Sequence, residues 1–461
     1  MRIEEEYIRT GYFWLPEKDN KKIPGVLIIK DGGDIELEIV GFFDDEVNIF
    51  NDNFDIGRII GHVEKDGLVT LENCFYTQKN SSFFGGISKS KVCVNKVLRG
   101  VAYEKDEVVT FNTLSFYVDC MDEWLGISGI KVYPEWKNKT TSISYTSPDT
   151  IIYYLDNGIE LSICFASMFD TNINEVTISQ KAYFKLKSDS LKPLIDFISL
   201  ANKIIDFMSF AIDDTVSLKN VFATSSEIQR EISGGKLVPI DIKIFYSSIS
   251  YVEKISIKTS NRMLFNYETI KSNAQSIFNN WINAYEVISP ALNLYFSTKV
   301  GAQKYIDGIF LSLVQGLETY HRRISSEQLM NSDDFNKLVE IILKNCPEEN
   351  KEWLYGRLRY GNEINLAKRI KSIIEPFKNF LGNDKKIKNL IRKIVDTRNY
   401  FTHYNKDLEN KAVDGKELWQ LCQTIEFIYQ LHFLRVIGFT DLEINNVVKN
   451  SYLMMNKLKK V

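Results

Sequence analysis

The sequence predicts an α+β protein: a β-rich N-terminal region with inserted helices, about residues 1–270, followed by an all-α helical bundle, about residues 271–461. Three observations predict it. Up to residue 185 the apolar residues fall in short β-branched and aromatic runs separated by turn residues. Near residue 190 the apolar period lengthens to that of a helix. From about residue 273 to the end, helical spacing persists almost without a break.

The first clear hairpin is Val26-Leu27-Ile28-Ile29, the turn Asp31-Gly32-Gly33-Asp34, then Ile35, Leu37 and Ile39 alternating with Glu36, Glu38 and Val40. Strand-like runs follow at Gly67–Leu71, Lys91–Asn95, Val108–Tyr117, Ile151–Leu155 and Glu160–Cys164. Such a set packs as an antiparallel sandwich or a barrel-like sheet. Leu191–Phe210 reads as a helix, with Leu194, Ile198, Ala201, Ile204, Ile205, Phe207 and Met208 at helical spacing. Strands return at Lys219–Ala223, Lys236–Tyr246 and Met263–Tyr267. The bundle then offers helices near 273–296, 301–322, 333–345, 348–358, 363–380, 384–404, 414–436 and 441–456. No Gly/Ser linker separates the two parts, so they are expected to pack together.

Composition narrows the function classes. With 44% hydrophobic and 25% charged residues the chain is globular. No apolar run reaches the ~18–20 residues that a membrane helix needs. The start, MRIEEEYIRTGYFW, lacks the basic and apolar segments of a secretory signal. A cytoplasmic protein with no membrane partner is expected. The six cysteines form no CxxC pair, so neither a zinc pattern nor a disulfide framework is predicted, and no metal or other cofactor is assigned. Charge is uneven: residues 301–461 hold 26 Lys+Arg against 20 Asp+Glu, the remainder 31 against 40. A mildly basic C-terminal third is compatible with a polyanionic partner without establishing one.

One stretch carries chemistry: Ile394-Val-Asp-Thr-Arg-Asn-Tyr-Phe-Thr-His-Tyr404. Asn399 and His403 are four apart and share a helical face. Arg398 lies about 140° round the helix from His403, at about 100° per residue, within reach of the same groove through its long stem. An imidazole and a guanidinium suit cleavage of an RNA phosphodiester. His exchanges the 2′-hydroxyl or 5′-oxygen proton near neutral pH. Arg holds the negative charge that builds on phosphorus. One imidazole does not readily serve as acid and base together, and a symmetric dimer would supply two. The spacing alone fits a solvated helix end at least as well.

The surrounding sequence resembles the ApeA-type proteins of the HEPN superfamily. Ile309-Phe-Leu-Ser-Leu-Val-Gln-Gly-Leu-Glu-Thr-Tyr-His-Arg322 resembles the early HEPN helix. Asp396-Thr-Arg-Asn-Tyr-Phe-Thr-His403 is similar to its Arg-x4-6-His helix. Gly11-Tyr-Phe-Trp-Leu-Pro16, Pro24-Gly25 and Glu123-Trp-Leu-Gly-Ile-Ser-Gly129 resemble the ApeA N-terminal domain, so the likeness covers nearly the whole chain. It implies a bacterial anti-phage protein of abortive-infection type, whose HEPN domain is a metal-independent endoribonuclease acting on tRNA or other cellular RNA. It also implies a homodimer or higher homo-oligomer through that domain. Carried over by position, Arg398 and His403 are the catalytic pair and Asn399 an accessory. The N-terminal region is expected to restrain or trigger the nuclease in answer to an unidentified phage-derived signal.

Weaker candidates complete the set. Glu318 could orient Arg398 or His403, or simply face solvent. His321, Arg322 and Lys393 could meet phosphates, or belong to wet helix faces. Thr402 and Tyr404 flank His403. Two other readings stay open: a HEPN scaffold for dimerisation or for nucleotide or RNA binding without cleavage, and a carbohydrate- or peptide-binding β-module with a helical tail.

Overall fold

The computed structural model describes residues 1–43, 54–81, 86–232, 234–253, 258–301 and 303–458. These fall into two compact units, Met1–Asn279 and Asn280–Val461. Unit 1 is β-rich and unit 2 helical, the α+β arrangement that the sequence predicts.

Unit 1 begins with β1 (Tyr7–Trp14), β2 (Ile23–Ile29), β3 (Ile35–Val40), β4 (Asp55–Val63), β5 (Gly67–Asn80) and β6 (Lys89–Arg99). Paired in the order β6-β3-β2-β1-β4-β5, with β5 returning to β6, they close into a six-stranded antiparallel barrel. The β2–β3 hairpin pairs Ile29 with Ile35 across the predicted turn. Gly33 stands there at φ 81, and a Cβ would meet the Tyr246 carbonyl at 2.2 Å. Inward residues Phe13, Leu27, Ile29, Leu37, Ile59 and Leu71 are fully buried, as the period-2 pattern requires.

The chain continues through β7 (Thr110–Val118), α1 (Met121–Leu125), the hairpin β8 (Ile130–Glu135) and β9 (Thr140–Tyr145), then β10 (Ile151–Tyr154), β11 (Glu160–Thr171) and β12 (Val176–Pro193). Next come α2 (Leu194–Ile212), β13 (Leu218–Thr224), the hairpin β14 (Gln229–Ile232) and β15 (Lys236–Pro239), β16 (Ile242–Tyr246) and α3 (Tyr267–Ile270). Strands β10-β11-β12-β7-β13-β16 extend the sheet from β6. The latter end of β6 (Lys96–Arg99) pairs with β16, its start (Lys89–Cys93) with β3, and β5 accompanies it along the other edge.

Helix α2 starts later than its apolar spacing suggests, because β12 runs on to Pro193, which caps the helix. Thirteen of its 19 residues are buried, each large apolar one contributing about 1.5–3 kcal/mol. Against its Phe207 pack Trp124 and Phe278, the Phe207–Phe278 centroids 4.9 Å apart, and Tyr267 packs on Trp124. Met263–Tyr267, predicted as a strand, is instead a buried connection into α3. The Asn266 side chain caps that helix by accepting from the Thr269 N–H, a local bond that outcompetes strand pairing.

The helices α4 (Ala274–Ser297), α5 (Ile306–Ile324), α6 (Ser332–Lys344), α7 (Lys351–Leu358), α8 (Leu366–Ile374), α9 (Lys378–Leu381), α10 (Asp384–His403), α11 (Lys406–Glu409), α12 (Gly415–Val436), α13 (Asp441–Asn450) and α14 (Tyr452–Leu458) follow. The helix expected over 363–380 breaks at the 3₁₀ turn Glu375–Phe377, where Pro376 denies a backbone donor. In unit 2, α12 is the central element, with 14 of 22 residues buried. Gly316 of α5 allows the closest approach. The Tyr429 hydroxyl lies 1.9 Å from where its Cβ would stand and donates to the Leu313 carbonyl at 3.2 Å. His432 is buried between Tyr320 and Phe377, and its Nε2 donates to the Ile373 carbonyl at 2.8 Å. All six cysteines are free thiols, with Cys74, Cys164 and Cys422 buried.

Candidate active site

Helix α10 opens on Asn383, whose side chain accepts from the Lys386 N–H, and closes on Tyr404 at φ 48. Only Ile394 and Thr397 of its 20 residues are buried. Thr397 anchors it: its hydroxyl accepts the Val413 N–H at 3.1 Å and ties down the segment that follows the helix. His403 is the last helical residue and is exposed. Its imidazole has no hydrogen-bond or ion-pair partner among the described residues.

Arg398 is placed by neighbours on both sides. One terminal nitrogen donates to Asn399 Oδ1 at 3.2 Å and the other lies 3.8 Å from Glu318 Oε2. Its side chain remains one-third exposed. Asn399, which shares the His403 face of the helix, and Glu318 of α5 thus hold the guanidinium between them. A guanidinium carries five N–H donors, so donors remain for a third ligand.

Glu318 is the hinge of a larger charge lattice. Its Oε1 accepts from Arg322 Nε at 3.3 Å and from a terminal nitrogen at 3.1 Å. Arg322 also pairs with Glu363 at 2.6 Å, and Glu363 with Arg369 at 3.3 Å. Burial opposes the Arg322 charge, but bonds to Glu363 and Glu318 outweigh it and raise its pKa. Arg322 is thus already committed to two carboxylates.

His321 lies inside, 3% exposed, with Nδ1 3.3 Å from an Arg369 nitrogen. Desolvation, then the Arg369 charge, lower its pKa, which favours a neutral imidazole. It stands under the lattice rather than on the surface where the sequence reading put a phosphate contact. Lys393 is turned away: it pairs with Glu417 of α12 at 2.5 Å. The Thr402 hydroxyl donates to the Arg398 carbonyl at 2.7 Å, within its own helix. Tyr404 is 62% exposed, its ring 5.5 Å from Tyr400.

Glu363 and Arg369 are absent from the sequence reading. They lie 45 and 51 positions beyond Glu318, and no local spacing signals that pairing. Among the described residues, no group of three or more His, Cys, Asp or Glu is placed to hold a metal, and no helix is long and apolar enough to cross a membrane.

Residues 8–281 match the family described as ApeA N-terminal domain 1, more than half of the chain. The chain belongs to the ApeA family. Residues 311–443 match Apea-like HEPN, and this span contains α10 with Arg398, Asn399 and His403, together with Glu318, Arg322 and Glu363. This ApeA chain is therefore a defence-related HEPN protein, with an ApeA module before a helical HEPN module. No match emerged among curated proteins or among solved structures.

Proposed function

We propose that this ApeA-family chain is an anti-phage endoribonuclease of abortive-infection type. It acts in the cytoplasm as a homodimer and cuts tRNA or another cellular RNA by a metal-independent route through Arg398 and His403. The observation that carries the reading is the contrast within one helical turn and a half. Arg398 is held at the surface by Glu318 and Asn399, while His403 is exposed with its imidazole unpartnered.

The chemistry follows from these groups. Neutral His403 takes the proton of a ribose 2′-hydroxyl, and the 2′-oxygen attacks the adjacent phosphorus. Arg398 hydrogen-bonds the non-bridging oxygens as their charge grows. The bond from phosphorus to the 5′-oxygen breaks, and that oxygen takes a proton from a second imidazole, the partner subunit's His403. The products are a 2′,3′-cyclic phosphate and a 5′-hydroxyl end, and no water is consumed. Asn399 and Glu318 are positioning residues, since they touch Arg398. The ApeA module acts as the restraint that a phage-derived trigger releases.

The test is sequencing of RNA ends from infected cells expressing wild type, Arg398→Ala or His403→Ala. New 5′-hydroxyl ends are expected with wild type alone. With purified full-length protein, each variant is expected to cleave about 10²–10⁴-fold more slowly, and wild type to cut equally in EDTA. Unchanged protection in His403→Ala, with no RNA cut by wild type or variant, would favour a non-catalytic HEPN scaffold.

A further inference from the structure

The face of α10 that leads to His403 is more ordered in charge than a wet helix face needs to be. At about 100° per residue, Lys385, Lys388, Arg392, Asn399 and His403 fall within one sector about 60° wide. From Lys385 to His403 the stripe covers about 27 Å, at about 1.5 Å per residue. All three cations are exposed, and none forms an ion pair among the described residues. Arg392 only donates to Asn389 Oδ1, at 3.0 Å. Lys393, outside the sector, is the one neutralised by Glu417. One carboxylate, Asp396, lies about 20° beyond the edge of the stripe, which stays net positive.

Beside the cations lies a groove of about 860 Å³. Ile391 and Val395 of α10 and Ala367 of α8 give it an apolar wall, and Lys385, Lys388 and Arg392 give it a basic one. A row of cations next to an apolar wall fits a strand whose phosphates lie on one side and whose bases lie on the other. A duplex hides its base faces and has no use for the apolar wall.

We propose that this groove is a binding rail for single-stranded RNA, which positions an unpaired segment with its scissile linkage at Arg398 and His403. The inference rests on the nuclease reading and adds the substrate class. Lys385, Lys388 and Arg392 are binding residues, each meeting one phosphate.

The test uses full-length protein carrying His403→Ala, so that RNA stays intact, and a fluorescein-labelled 12-nucleotide single-stranded oligoadenylate. Binding is read by anisotropy across a salt series. Adding Lys385→Gln, Lys388→Gln and Arg392→Gln is expected to weaken binding and to lower the slope of log K against log salt by about 2, at ~0.7 per phosphate contact. A charge-matched control, Lys337→Gln, Lys344→Gln and Arg357→Gln, is expected to keep the slope. A hairpin RNA of equal length is expected to bind more weakly than the single strand. With His403 restored, the rail variant should lose its preference for the 12-mer over a dinucleotide.

An unchanged slope in the rail variant would overturn the inference, even if wild type cuts RNA. A rail variant that changes oligomeric state by light scattering while binding RNA normally would overturn it too, making the groove a protein-docking surface. If wild type binds through the rail but cleaves nothing, the rail stands as a single-strand binding site, while the nuclease reading and the placing of a scissile linkage fail.

Discussion

Helices α10 and α12 are nearly equal in length and belong to the same unit, yet they do opposite work. Helix α12 buries 14 of 22 residues and α10 buries two of 20. Several polar residues of α12 are enclosed too: Glu426 is bonded to Lys457 at 2.5 Å, and Lys457 to Gln430 at 3.0 Å. Helix α10 spends little of its surface on the core, so its residues are available for chemistry. The difference teaches that stability and activity in this unit are largely separable, and substitutions can be sorted by the helix they touch.

The largest expected effect on stability is pH-dependent and lies at α12. Burial pushes the pKa of His432 down from 6.5 to about 4. Above pH 6.5 both folded and unfolded states hold it neutral, and its full contribution is present. As pH falls from 6.5 toward 4, the unfolded chain binds a proton that the folded one refuses. On the order of 3 kcal/mol is lost over that window. Thermal melts across pH 7 to 4 should show a steeper fall in wild type than in His432→Gln. Parallel curves would break the comparison.

Next is Gly316→Ala. The added carbon meets the buried Tyr429 hydroxyl, so α5 and α12 must separate at a cost of about 1–3 kcal/mol. Double substitution with Tyr429→Phe should recover part of that loss in denaturant midpoint. Thr397→Val follows, at about 1 kcal/mol, because the Val413 N–H loses its acceptor. The smallest effect on the fold is His403→Ala, within about 0.5 kcal/mol of wild type by melting, although it is the variant expected to end cleavage. A large melting shift there would mean that α10 is not the free helix described.

Much of this was legible in the residues, for reasons that can be named. The β2–β3 hairpin declared itself because its turn and alternation are contiguous. The helices of unit 2 did so because apolar spacing repeats over three or more turns. Barrel closure was not legible, since β1 finds β4 and β3 finds β6 through long-range pairing that leaves no local mark. Met263–Tyr267 misled because an apolar run serves a strand and a buried connection equally well. Arg398, Asn399 and His403 were visible as a local cluster. The lattice that steadies Arg398 was half visible, through Glu318 and Arg322, and half hidden, through Glu363 and Arg369. The fate of each cation, with Lys393 neutralised and Lys385, Lys388 and Arg392 left free, depends on what α12 presents opposite, which spacing does not encode.

The forked pairing of β6 has a mechanical consequence. Because β6 is stitched to β3 at its start and to β16 at its end, with β5 along its far edge, the short ladder of Lys96–Arg99 with Lys243–Tyr246 is the row of strand hydrogen bonds that joins the closed cylinder to the sheet beyond it. A pull that parts the two is borne by that ladder. The N-terminal module is therefore expected to yield to force in steps, with this short ladder opening before the barrel itself.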